Sequence, residues 1–162
     1  MRRWVASALM VLAVCGVARA AEKIFDPSRD PAKDLQAAIN QAETEHKNIL
    51  MDVGGNWCSW CMLLDRTLHE DAQLRGLLDK NYVVIHVNFS KDNENKDFLQ
   101  KYPPPKGYPA LYVLSSQGRL LKAETDTSEL EGDHKLSGGY NKDALKSFLE
   151  KNKPKALYTP VT

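Results

Sequence analysis

The chain has 162 residues, with 22 Lys and Arg against 21 Asp and Glu and a formal net charge of +1. A chain this close to neutral, with no basic stripe, lacks the positive surface that phosphate recognition demands, so nucleic acid is set aside as a partner. Its length suits one compact domain, and no internal repeat or long Gly/Ser linker divides it.

Met1-Arg2-Arg3 is a basic start, and Trp4 to Val17 is an uncharged, mostly apolar run. That run is shorter than the roughly 20 residues a permanent membrane helix needs. It ends in Ala18-Arg19-Ala20, a cleavage-site pattern, so residues 1–20 are predicted to be a signal peptide and 21–162 a single exported domain. The segment Leu12-Ala13-Val14-Cys15-Gly16 offers a weaker alternative, a lipid anchor on Cys15, but Val14 stands where such sites usually carry a small residue. Loss of Arg2, Arg3 and Arg19 from the 22 basic residues leaves 19 against 21 acidic ones, and leaves Cys58 and Cys61 as the remaining cysteines. The loop they close is too short to constrain the unfolded chain much, so in an oxidising compartment the pair points to redox work rather than stapling.

After a lead-in containing Phe25-Asp26-Pro27, the spacing of Leu35, Ala38, Ile39 and Ala42 predicts a helix over about 33–46. The run 48–53, apolar apart from Asp52 and ended by Gly54-Gly55, reads as a buried strand. A helical pattern follows from Cys58 through Met62, Leu63, Leu64 and Leu68 to Leu74, Leu77 and Leu78, kinked or split near 69–71. Residues 82–89 read as a strand, 92–102 as a helix, and Pro103 to Gly107 as a loop. Two strands, 110–114 and 120–124, flank the turn-rich Ser115-Ser116-Gln117-Gly118. A loop over 125–139 precedes a last helix capped by Asn141 and striped by Ala144, Leu145, Phe148 and Leu149, and 153–162 reads as a loose tail. From residue 48 the order is β-α-β-α-β-β-α, with room for a short extra strand before the first helix. Such alternation predicts an α/β fold, a central mixed sheet with helices on both faces.

Trp57-Cys58-Ser59-Trp60-Cys61 falls where a strand hands over to a helix. The unpaired amides and positive dipole end of a helix N-terminus favour an anion, which makes Cys58 the nucleophilic thiolate and Cys61, one turn further in, the resolving thiol. Exchange through a mixed disulfide needs no metal or organic cofactor. Haem attachment would want His after the second cysteine, where Met62 stands, and a zinc site would want two further ligands, whereas His46, His69, His86 and His134 are scattered. A module that holds copper or zinc, or binds peptides without turnover, is the alternative.

Strand, tryptophan, C-x-x-C and helix, with a later proline in Gly107-Tyr108-Pro109-Ala110-Leu111, resemble the thioredoxin superfamily. The resemblance implies that Pro109 is cis and faces the cysteines, with its neighbouring backbone pairing to a bound substrate. It implies that Trp57 shapes the rim, with Trp60 and Tyr108 among the groups meeting substrate. Asp52, six residues before Cys58, matches a buried carboxylate that manages the proton of the resolving thiol; the alternative is that it points to the other face of the sheet. Ser59-Trp60 between the cysteines and Tyr108 before the proline depart from thioredoxin itself, and leave partner choice open. Phe25-Asp26-Pro27-Ser28 and Val53-Gly54-Gly55-Asn56-Trp57-Cys58 look most like small exported bacterial thioredoxin-like proteins. The resemblance implies a monomeric periplasmic thiol-disulfide oxidoreductase acting on cysteine pairs of other exported proteins, linked to a membrane electron donor or acceptor. A role as reductant is slightly favoured over one as oxidant.

Overall fold

The structure is a computed structural model that describes residues 23–132 and 139–155. The leader predicted over 1–20, Cys15, His134 and most of the predicted tail lie outside the described residues.

Helix α1, Pro31–Glu45, begins where Asp30 accepts hydrogen bonds from the amides of Ala32 and Lys33 and Pro31 supplies a φ already suited to a first turn. The helix therefore starts two residues earlier than its apolar stripe suggests. Strand β1, Asn48–Gly54, is buried along its whole length. Helices α2, Ser59–Glu70, and α3, Ala72–Asn81, divide at Asp71, whose extended backbone ends the first while its carboxylate accepts from the amides of Gln73 and Leu74 to start the second. Strand β2 spans Tyr82–Asn88, the short helix α4 Lys96–Leu99, strands β3 and β4 Ala110–Leu114 and Leu120–Glu124, and helix α5 Lys142–Asn152.

The sheet order is β2-β1-β3-β4, with β1 parallel to β2 and antiparallel to β3, and β3 antiparallel to β4. Successive side chains of a strand point to opposite faces, so β1 serves two cores. On one face Leu50, Leu111 and Val113 pack with Leu64 of α2, Leu74 of α3 and Leu145 of α5. On the other, Ile49, Met51 and Val53 pack with Ala38 and Ala42 of α1 and Phe98 of α4. Coverage on both faces explains the unbroken burial of β1. Asp52 shares the parity of Leu50 and so stands on the α2 face.

Three expectations need correction. No strand precedes α1 among the described residues; 23–30 form turns instead. The helix expected over 92–102 shrinks to α4, because side-chain amides capture the backbone: Asn88 Nδ2 donates to the Asn93 carbonyl at 2.7 Å, and Asn95 Nδ2 to the Asn88 carbonyl at 2.7 Å, with Asn95 itself at φ 48°. The segment read as a loop after 125 contains a 3₁₀ turn, Thr127–Leu130, whose Thr127 hydroxyl donates to the Pro109 carbonyl at 3.4 Å.

Candidate active site

Strand β1 delivers the chain to the cysteines through Gly54 and Gly55, and the packing explains both. A Cβ on Gly54 would lie 2.6 Å from Cys61 Sγ and 3.2 Å from Phe25 Cζ, and one on Gly55 would lie 2.3 Å from the Trp57 ring nitrogen. Only glycine lets the sulfur and the indole approach the strand so closely.

Cys58 is the N-cap of α2: its backbone is extended and its Sγ accepts a hydrogen bond from the Cys61 amide at 3.1 Å. The two cysteines form a disulfide, with Cα atoms 5.3 Å apart. Cys58 retains 6% exposure while Cys61 retains none. Phe25 closes over Cys61 and packs with both cysteines. It is held there by Asn56, whose Nδ2 donates to the Phe25 carbonyl at 2.6 Å and whose Oδ1 accepts from the Phe25 amide at 3.3 Å. The lead-in is tied down again by Asn93 Nδ2, which donates to the Pro27 carbonyl at 3.0 Å.

The Tyr108–Pro109 peptide bond is cis, and the Tyr108 carbonyl oxygen lies 3.6 Å from Cys58 Sγ. The Tyr108 ring stacks on Phe89 at 5.0 Å and meets Trp57 edge-on at 5.7 Å. Trp57 is 59% exposed, and its ring nitrogen donates to the Phe89 carbonyl at 2.7 Å. Trp57, Tyr108 and Pro109 thus converge beside Cys58. Trp60 is half-buried, edge-on to Tyr140 at 5.5 Å, and packs against both the cysteine cluster and the α5-side core.

Asp52 stands in register with His86 of β2, on the face that carries Cys61. The missing Cβ of Gly54, two residues along the same strand and on the same face, points at Cys61 Sγ. Burial pushes the Asp52 carboxyl up to about 7, the His86 imidazole pulls it down and the Asp65 carboxylate adds to the rise. Among the described residues Asp52 Oδ1 has no hydrogen-bond partner. His86 is raised above its ordinary range: burial opposes its charge, but the hydrogen bond and charge of Asp65 and the charge of Asp52 outweigh burial. Asp65 is held below the usual carboxylate range by its hydrogen bond to His86.

Residues 30–116 match the family described as Thioredoxin-like. The chain belongs to the thioredoxin-like family. Among solved structures it is similar to a disulphide isomerase from Xylella fastidiosa, with 25% identity and a TM-score of 0.67 over 82% of this chain and 98% of that one. It shares the fold of the DsbD C-terminal domain of Neisseria meningitidis at 16% identity and a TM-score of 0.53, over 80% of this chain and 99% of that one. Among curated sequences it is 24% identical over 114 residues to the thiol:disulfide interchange protein DsbD of Pseudomonas fluorescens, covering 70% of this chain and 19% of that protein. It is 26% identical over 140 residues to a protein disulfide-isomerase of Ricinus communis, covering 85% of this chain and 24% of that protein. The chain thus spans about a fifth to a quarter of these longer relatives.

In this thioredoxin-like protein the α/β class and mixed sheet read from the sequence are present, and the cysteine pair sits where strand meets helix. Sequence reading missed Phe89, Asn56 and His86. It also treated His69 and His86 as scattered, whereas both lie against Asp65. One available signal was that Cys61, Asp65 and His69 recur every four residues and so share a face of α2. Among the described residues no group of three or more His, Cys, Asp and Glu is arranged to hold a metal ion.

Proposed function

We propose that this protein is a thiol-disulfide oxidoreductase that exchanges its Cys58–Cys61 pair with cysteines of other exported proteins. In the reducing direction the Cys58 thiolate attacks a substrate disulfide, one substrate sulfur leaves as thiolate and takes a proton, and a mixed disulfide forms. Cys61 gives its proton to Asp52 and attacks Cys58, which releases the second substrate thiolate and closes the intramolecular disulfide. Two electrons pass to the substrate. The backbone beside Pro109 presents the substrate strand, and Trp57, Trp60 and Tyr108 contact it.

The observation that carries this reading is the asymmetry of the pair: Cys58 caps the helix at the surface with an amide aimed at its sulfur, and Cys61 is sealed. A thiolate at a helix N-terminus is stabilised, whereas one in an apolar enclosure is not until its proton has somewhere to go. Asp52, at about 7, is matched to accept it near neutral pH. The leader over 1–20 supports export to the periplasm, where a membrane donor would re-reduce the pair, and the thioredoxin-like layout slightly favours a reductant.

The test is the reduction potential of the couple, followed by tryptophan fluorescence in glutathione or dithiothreitol buffers. A value near about −270 mV supports a reductant and one near about −120 mV a disulfide donor. Absence of any reversible couple removes the oxidoreductase reading altogether.

A further inference from the structure

If Cys61 hands a proton to Asp52, that proton must then reach water, and the direct way is shut. Cys61 and Phe25 have no exposed surface, Asp52 is buried, and a bound substrate would cover Cys58. Another route leads sideways. His86 Nε2 lies 3.8 Å from Asp52 Oδ2 and 3.5 Å from Asp65 Oδ1, and the same Asp65 oxygen lies 3.2 Å from His69 Nδ1. Side-chain exposure is 4% at Asp52, 23% at His86, 19% at Asp65 and 51% at His69, whose Nδ1 donates to the Asp65 backbone carbonyl at 2.8 Å.

The row ends in a cleft of about 590 Å³ along the outer edge of β2, lined by His86, Asp65 and His69 together with Lys23, Asp26 and Arg29 among others. None of Cys58, Trp57, Tyr108 and Pro109 lines it. The Phe25 ring meets His86 edge-on at 5.2 Å. The charged groups around His86 come from each neighbouring element: Asp52 from β1, Asp65 from α2, and from the lead-in Arg29, which opposes the imidazolium and is paired with Asp34 of α1.

Resting on the exchange reading above, we propose that His86, with Asp65, is a proton relay that connects the buried Asp52–Cys61 pair to the lateral cleft, so that protons and substrate use different faces of the molecule. His86 in its protonated form, donating Nε2–H to Asp65, first releases that proton to the Asp65 carboxylate, and the freed Nε2 then takes the proton that Asp52 received from Cys61. The imidazolium is thereby restored, and Asp65 passes its proton to water in the cleft. Each donor is restored to its starting charge. Gaps of 3.5–3.8 Å close with a small ring rotation or one bridging water. His86 and Asp65 act through Asp52 and are positioning residues, not groups that touch substrate.

The test uses the mature protein reacting as dithiol with oxidised glutathione, with mixed-disulfide formation and its resolution followed separately by stopped-flow fluorescence and acid quenching from pH 5.5 to 8.5. His86→Gln keeps a hydrogen-bonding group but cannot titrate. It is expected to slow resolution about tenfold or more at neutral pH and leave mixed-disulfide formation unchanged. In His86→Ala, added imidazole, which the cleft can admit, is expected to restore the rate. Resolution within about twofold of the parent, with an unchanged pH profile, in both His86→Gln and Asp65→Asn overturns the relay. Should the variants fail to fold, the His86 ring nitrogens of the unmodified protein are titrated by NMR. A His86 midpoint that differs between oxidised and reduced protein is expected, and an identical midpoint overturns the relay. A reversible couple with unaffected variants removes the relay alone, whereas absence of the couple removes the exchange reading beneath it.

Discussion

Asp52 and His86 face each other in register across the two parallel strands at one edge of the sheet, with 3.8 Å between carboxylate and imidazole. A carboxyl raised from 3.8 to about 7 keeps its proton in the folded protein after the unfolded chain has released its own. Stability therefore falls as pH rises from about 4 through 7, by up to about 4 kcal/mol from this group. His86 works in the same direction, since the stability from its raised pKa is present at acid pH and lost as pH passes the folded value. Asp65, held low, works in the opposite direction at lower pH. Asp52→Asn is expected to flatten the curve and to be more stable than the parent at pH 8. Urea unfolding of the oxidised forms at pH 4, 6 and 8 checks this, and parallel curves would show that Asp52 is ionised at low pH.

Cys61→Ser is expected to accumulate mixed disulfides with exported proteins, because attack by Cys58 persists while resolution is lost. Cys58→Ser should trap little, since Cys61 has no exposed surface. Non-reducing electrophoresis of periplasmic extracts decides. Equal trapping by both variants would contradict the division of roles.

Gly54→Ala would bring a methyl carbon to 2.6 Å from Cys61 Sγ, closer than carbon and sulfur tolerate. The expected loss is about 1–3 kcal/mol, the usual range for overpacking, with slower closure of the disulfide. Thermal unfolding of oxidised and reduced forms measures both. Unchanged stability would mean that Cys61 and Phe25 yield more easily than their burial indicates.

Trp57→Ala removes an exposed ring whose one hydrogen bond goes to the Phe89 carbonyl. Stability should change by less than about 1 kcal/mol. For a disulfide-bearing peptide kcat/KM should fall about tenfold, while the rate with dithiothreitol stays near that of the parent. An equal fall with both reagents would show that Trp57 serves the cysteines and not the substrate.

The strands, the helix pairing and the cysteine motif were legible because each has a local signature: β-branched runs, apolar stripes, and a C-x-x-C directly after a strand. Asp71 was half legible, since a break near 69–71 shows in the apolar pattern but the double cap does not. Helix α4 was overdrawn because Phe98 and Leu99 fit a helical stripe, while the hydrogen bonds by which Asn88, Asn93 and Asn95 capture the backbone have no periodicity. Phe89 and His86 were hidden for a different reason. In a strand reading they are merely two members of the run 82–89, and their meaning depends on what lies alongside. The spacing of Cys61, Asp65 and His69 was visible but gained its significance only when β2 placed His86 against it.

The enclosure of Cys61 depends on Phe25, which Asn56 fastens across 31 positions of sequence, and on a second tie from Asn93 to Pro27 across 66. Both are long-range contacts, and contacts of this kind form late relative to helices and turns. Before they close, the N-cap position already favours Cys58, but Cys61 is not yet enclosed. The shielding of Cys61 is thus acquired during folding, when the lead-in docks, so a chain still on its way to the native state leaves a second sulfur open to other thiols.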